Sequence, residues 1–342
     1  MIEKLDILEN SHRRCLGLSE LDSSWKEIKA RGRRFYHDGT HLRKEIISKD
    51  FEYFECDLYE PIPEKITAAV IKGFDRRGIS FWYLWNRVLI ENASSKNIYY
   101  EEDTDNIKKW LKKWVKETTE SDLEELRDFA KLERSECHYK EGDVFAFRNS
   151  RRSWGFGRII CDMRKKETSK ELLKSRNSRL KKLMRNTLQV QIYHYLSPTP
   201  DIDIELLKGE NTLPSMSVYP GDFDRGDYRI IGHLPLEDSE TMPVESFGLM
   251  VSPQNQNCYL LYGNRYIEDT KLPTGIYESF SNEAVRFTMK FNEKMLKSCI
   301  ATKSNLPYWK ESPFYKKKDL RNPRNAQARA LILKHFGLED NI

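Results

Sequence analysis

The chain has 342 residues, 39% of them hydrophobic, 32% charged and 12% aromatic, with a net charge of +5 and a mean hydropathy of -0.72. The length favours two domains over one, and the aromatic share excludes a chain built to stay disordered, because rings supply the buried area that offsets ordering entropy. The longest apolar run, Ile79-Ser-Phe-Trp-Tyr-Leu-Trp85, falls well short of the ~18 residues of a membrane span. The acidic start MIEKLDILENSHRR is unlike a secretory signal, so a cytoplasmic protein with no membrane contact is expected.

Residues 1–135 are expected to be mainly helical. Phe51-Glu-Tyr-Phe-Glu-Cys56 fits a strand or the end of a helix, and Pro61-Ile-Pro63 interrupts whatever precedes it. Residues 64–71 and 79–90 suit two buried helices separated by Gly73 and Gly78. Ile107, Trp110, Leu111, Trp114 and Val115 recur at the spacing of one helix face, behind the acidic run Glu101-Glu-Asp-Thr-Asp105, which favours a helix N-terminus. Ser121 and Glu124 match a capping box for a helix over 121–134, with Leu123, Leu126, Phe129 and Leu132 on its apolar side.

After Ser135 the pattern changes. Asp143-Val-Phe-Ala-Phe147 and Trp154-Gly-Phe-Gly-Arg-Ile-Ile160 are short aromatic and β-branched runs joined by polar residues, as in a hairpin. Leu188-Gln-Val-Gln-Ile192 alternates as a half-buried strand does, and Tyr228-Arg-Ile-Ile-Gly232 and Cys258-Tyr-Leu-Leu-Tyr262 add two more strands. The spacing predicts one strongly bent antiparallel sheet or a small β-barrel over 136–280, with Gly155 and Gly157 permitting a bulge or close approach. Helices are expected over 281–298 and 325–335, in a tail of residues 281–342 that packs on the core. The fold class expected for the whole chain is therefore α+β, a helical first half followed by a β-rich second half.

The positive charge is local. Residues 164–185 carry ten basic and two acidic groups, while the rest of the chain is slightly acidic. Within this insertion Arg164, Lys165, Lys166, Lys181, Lys182 and Arg185 are candidate partner-binding residues, and Leu172, Leu173, Leu180, Leu183 and Met184 could line one helix side. The run is either a solvated face or a docking element for an acidic partner or a phosphate backbone. No aromatic is interleaved within it, so bases have no platform to stack on, which places a nucleic-acid-binding regulator second to a protein partner.

Catalytic patterns are absent. The six cysteines form no CxxC pair, and GxSxG, GxxxxGK[ST] and a strand-linked GxGxxG do not occur. His37 and His41 have the spacing of helical metal ligands, but Gly39 between them indicates a turn. Cys137 and His138 are chain neighbours that face opposite ways in an extended segment. Asp222-Phe-Asp-Arg-Gly-Asp227 lacks the closing glutamate of an EF-hand. No cofactor or metal is expected, and neither is an enzyme.

Three segments in order, Lys140-Glu-Gly-Asp-Val-Phe-Ala-Phe147, Trp154-Gly-Phe-Gly-Arg-Ile-Ile160 and Tyr228-Arg-Ile-Ile-Gly-His-Leu-Pro-Leu236, resemble the immunity protein 26 family of bacterial polymorphic toxin systems over roughly residues 138 to 275. The positions that carry the likeness are Gly142, Asp143, Phe145, Gly155, Gly157, Arg158, Gly232, Leu234 and Pro235. The resemblance implies an inhibitor that neutralises a cognate toxin protein by binding it, with a surface patch in place of a catalytic set. Arg151, Arg152 and Trp154 at the hairpin are the anchors expected of such a patch, with the basic run as its electrostatic guide. Residues 1–135 and the 164–185 insertion have no counterpart in the family pattern. A phosphotriesterase-like hydrolase is a further alternative, for which the required metal-ligand set is not visible.

Overall fold

A computed structural model describes residues 5–49, 52–134, 136–164, 187–213, 215–236, 245–251, 256–262, 265–281, 294–303, 318–320 and 322–339. The chain divides into two compact units, residues 1–137 with 225–227, and residues 138–224 with 228–342.

The first unit is built on strands, which overturns the helical expectation for residues 1–135. β1 (Lys26–Ala30), β2 (Arg33–His37), β3 (His41–Lys49), β4 (Glu52–Pro61), β5 (Arg76–Leu84), β6 (Arg87–Asn92) and β7 (Ile98–Asp103) form one antiparallel sheet in chain order. Four helices accompany it: α1 (Asn10–Leu16), α2 (Ala68–Lys72), α3 (Ile107–Glu117) and α4 (Glu120–Ala130). Residues 79–90, expected as one helix, are instead the β5–β6 hairpin turning at Trp85–Asn86. The reason is that β5 and β6 carry apolar residues on both faces. Ile79, Phe81 and Tyr83 pack with α1, α3 and α4 on one side, while Trp82, Leu84 and Leu89 are half-buried on the other. A strand that is apolar on both faces has no period-two alternation to separate it from a buried helix. The turn that would have given it away carries neither Gly nor Pro.

The two long helices keep their expected faces. Ile107, Trp110, Leu111 and Trp114 of α3 are buried, and Asn106 caps its start by accepting from the Lys109 amide. The capping box of α4 lies two residues upstream of the expected one. Thr119 accepts from the Asp122 amide, and the Asp122 carboxylate accepts from the Thr119 amide at 2.7 Å. This helix stops at Ala130, and Leu132 beyond it is exposed. Between α1 and the sheet lies a buried ionic cluster. Glu55 accepts from Arg13 Nε at 2.6 Å, from Lys44 Nζ at 2.9 Å and from the Tyr53 hydroxyl at 2.6 Å, and Lys44 also reaches Asp57 at 2.8 Å. His37 and His41 close the β2–β3 turn, where Asp38 accepts from the amides of Thr40 and His41.

The second unit holds two open antiparallel sheets among the described residues, and no closed barrel. β8 (Asp143–Ser150), β9 (Ser153–Asp162), β10 (Leu188–Ser197), β11 (Met216–Val218) and β12 (Arg229–His233) are ordered β11-β10-β9-β8-β12. β13 (Glu245–Val251), β14 (Gln256–Tyr262), β15 (Arg265–Asp269) and β16 (Phe280–Ser281) are ordered β15-β14-β13-β16. The Cys258–Tyr262 strand thus belongs to a separate sheet. Gly155 and Gly157 permit the bulge and close approach expected of them: β10 bulges between Ile192 and Leu196 opposite the two glycines, and across β8–β9 Gly155 receives the Phe147 ring and Gly157 the Phe145 ring. Both faces of this five-stranded sheet are covered. Phe145, Phe147, Val190 and Ile192 line one core, Val144, Ala146, Phe156 and Leu234 the other.

Among the described residues three α-helices complete the unit: α5 (Gly221–Asp224), α6 (Lys294–Thr302) and α7 (Ala326–His335). α6 brings Cys299 and Ile300 onto the β10 side of the five-stranded sheet, and α7 brings Ile332 and Leu333 against Phe247 and Leu260 of the four-stranded one. α7 ends at Gly337, at φ 70°, as its sequence indicates. Of the expected 281–298 helix, residues 282–293 lie outside the described residues. All six cysteines are free. Among the described residues no helix is long and apolar enough to cross a membrane.

Candidate functional site

The motif residues converge where β8, β9 and β12 meet. Asp143 opens β8 and closes a tight turn, its Oδ2 accepting from the Lys140 amide at 2.8 Å and its own amide donating to the Lys140 carbonyl at 3.1 Å. Gly142 in that turn has φ 89°, and a Cβ there would come within 2.6 Å of His233 Cε1 and 2.8 Å of the Leu234 carbonyl. Only glycine satisfies both the backbone state and the space. The Gly142 amide donates to Ile159 O at 2.8 Å and its carbonyl accepts from the Leu234 amide at 2.9 Å, tying three strands together. His233 Nδ1 stands 2.8 Å from Asp143 Oδ1, which fixes the exposed imidazole on the end of β12.

Pro235 is exposed, and the remaining motif positions are buried or half-buried. Arg158 is 6% exposed and its guanidinium donates to the Pro235 carbonyl. Leu234 is buried with Val144 and Phe156, and Gly232 packs on Ile204. Rings press on the two β9 glycines, where a Cβ at either would sit 2.4 Å from a phenyl carbon. These residues hold a sheet together, and most of them leave the exposed surface to others.

At the far end of the β8–β9 hairpin the expected anchors separate. Arg151 is buried at 9% exposure, Arg152 is exposed, and Trp154 is half-buried. Arg148, which the sequence did not single out, places its guanidinium carbon 4.4 Å from the centroid of the Trp154 ring and donates to the Arg151 carbonyl at 2.8 Å. The two-residue turn Arg151–Arg152 pairs 150 with 153 and would by itself set 149 opposite 154; a bulge between Arg148 and Ser150 shifts the register and brings Arg148 opposite Trp154, which the turn alone does not reveal.

Arg164, two residues beyond β9, is a bidentate partner of Asp162, at 2.8 Å for both contacts, and also reaches the Tyr139 hydroxyl at 3.1 Å. The bond to Asp162 raises the Arg164 pKa above its ordinary value. Burial, followed by donation to Asp224 Oδ1 at 2.9 Å, pushes the Tyr139 phenol up to about 12. Lys165, Lys166, Lys181, Lys182 and Arg185 lie outside the described residues. Among the described residues no three or more His, Cys, Asp or Glu side chains are grouped to hold a metal.

Residues 140–257 match the Immunity protein 26 family model. The match begins at the Lys140 turn and takes in all three motifs, and it spans about a third of the chain. No curated protein and no solved structure matches the chain. Within the matched segment, the motifs account for the turn at Gly142, the ring-covered glycines and the Arg158–Pro235 tie. Trp154 opens the second motif, whereas Arg148 and Arg152 lie outside the motifs, and all three stand at the hairpin end.

Proposed function

We propose that the chain is an immunity protein, which neutralises a cognate bacterial toxin by binding it. The observation that carries this reading is the match over residues 140–257, in a segment most of whose motif side chains are spent on internal packing. A protein that acts by binding needs a rigid support and a separate contact face, and the β8–β12 framework supplies the support. The contact face is the hairpin end, where Arg152 is exposed and the Arg148–Trp154 stack presents a planar cation over an indole. Arginine and tryptophan are the residue types that most often dominate binding energy, and about 800 Å² per partner suffices for a stable interface. The charge of the basic 164–185 run raises the encounter rate with an acidic toxin surface.

Co-expression with the toxin encoded beside this gene tests the reading. Growth restored by the wild-type chain, together with a stoichiometric complex of the two purified proteins, is the expected result. A toxin that stays active and elutes apart from the chain would overturn it. A parallel titration with duplex DNA and single-stranded RNA separates the nucleic-acid alternative, which requires binding that weakens steeply with salt.

A further inference from the structure

The β5–β6 turn of the first unit is built against local preference. Trp85 and Asn86 both take positive φ, 50° and 61°, as a two-residue type I′ connection requires. Asparagine and glycine adopt that state at low cost, and a bulky tryptophan does not. Nor does packing compensate, since Trp85 is 81% exposed, the most exposed large hydrophobic residue among those described. A local rule broken with no internal gain marks a side chain retained for something outside the fold.

What surrounds the indole defines the partner. Strand register sets Trp82 opposite Leu89 and Leu84 opposite Arg87 on one sheet face, and Trp82, Leu84 and Leu89 are only half-buried there. On β7 the same face continues with Glu101 opposite Leu89 and Asp103 opposite Arg87. The Thr104 amide donates to the Asn86 carbonyl at 2.6 Å, which brings the exposed Asp103 and Asp105 alongside the turn. Arg87 pairs with the buried Glu101 and lies 4.0 Å from the Asp103 carboxylate, which is itself 90% exposed. The tip therefore joins an exposed indole and a short apolar strip to an acidic rim.

We propose that this tip is a second docking surface, and that its occupant is a basic face of the cognate toxin. The inference rests on the immunity reading and gives the first unit, which lies outside the matched segment, a part in the contact. The indole would fill an apolar depression while lysine or arginine side chains of the toxin lie along Asp103 and Asp105. The acidic rim would repel a phosphate backbone, so charge selects a protein over a nucleic acid.

The test titrates the neighbouring toxin with wild-type chain, with Trp85→Asn and with the pair Asp103→Lys and Asp105→Lys, measuring affinity by calorimetry and association rate at two salt concentrations. Trp85→Asn is expected to weaken binding by about 30-fold or more, the size of an interface hot spot. Its Tm should be unchanged or higher, because asparagine suits the turn. The charge reversals are expected to slow association and flatten its salt dependence. Unaltered affinity in a folded Trp85→Asn chain would overturn the proposal. Should that variant melt early, the charge-reversed pair decides, and an unchanged association rate would overturn it equally. A wild-type chain that does not bind the toxin defeats the immunity reading itself, and this inference with it.

Discussion

The guanidinium carbon of Arg148 lies 4.4 Å from the Trp154 ring centroid, and the two residues are direct partners across the β8–β9 pair. The same arginine donates to the carbonyl of Arg151 at 2.8 Å, so one side chain fixes both the ring and the turn. Arg148→Ala should therefore destabilise the second unit by about 0.5–2 kcal/mol in urea denaturation, the range of a cation–π contact. It should also weaken toxin binding, because the indole loses its fixed orientation. Arg148→Lys should rescue only part of either effect, since an ammonium cannot stack as a plane. Equal stability and affinity in wild type and Arg148→Ala would remove the stack from the contact face.

Gly157→Ala tests the ring-on-glycine packing. The added methyl would lie 2.4 Å from Phe145 Cζ and 2.8 Å from the Gln191 carbonyl, with backbone on one side unable to yield. Overpacking of this kind costs about 1–3 kcal/mol. Gly142→Ala should cost more, because it adds a backbone penalty at φ 89° to a clash with the Leu234 carbonyl. Gly209, with φ 85° and nothing within 4 Å of a new Cβ, isolates the backbone part. Chemical denaturation should rank Gly209→Ala as milder than Gly142→Ala, and the reverse order would show that crowding at the β8 turn contributes nothing.

Tyr139 gives the second unit an alkaline sensitivity. Its phenol is raised from the ordinary 10.0 to about 12 by burial and by the bond to Asp224, so the folded state favours the neutral form. A folded pKa above the unfolded one contributes stability that is complete below the unfolded value and disappears as pH rises toward the folded value. The loss should fall between about pH 10 and about pH 12. Tyr139→Phe removes the titrating group, and its Tm should decline less over that interval than the wild-type Tm does. Parallel declines would mean that the phenol is no better protected in the fold than in the unfolded chain.

Much of the second unit was legible because its strands are punctuated. Gly142 and Asp143 open one, Arg151 and Arg152 turn it, and Pro235 follows the end of another. The first unit hid its strands for a physical reason. Lys44, Glu45 and Glu55 are charged residues inside a sheet, and their burial is possible only because each meets an opposite charge from a distant part of the chain. No local pattern announces such pairing, and a run such as Glu52 to Leu58, mixing acids with rings, loses its alternation. The helical stripe from Ile107 to Trp114 was legible because it depends on one face only. At the site, Arg151 looked like an anchor by type, and its side chain is buried, which residue type alone does not carry.

The ionic cluster behind α1 carries the last prediction, which turns on an asymmetry between its members. Glu55 is fully buried and serves Arg13, Lys44 and Tyr53 at once, whereas Lys44 has two carboxylates to choose from, on Glu55 and Asp57. Glu55→Gln strands the Arg13 guanidinium, itself 2% exposed, without its counter-charge. Removing one partner of a buried ion pair typically costs about 3–5 kcal/mol. Lys44→Met leaves Glu55 with Arg13 and the Tyr53 hydroxyl, and replaces a buried ammonium by an apolar chain of similar length, so its cost should be clearly smaller. The double variant should cost less than the sum of the two, because both changes touch one network. Urea denaturation of the two single variants and the double reads all three. A larger loss for Lys44→Met than for Glu55→Gln would mean that Asp57 is the ammonium's essential partner and that Glu55 is not the hub.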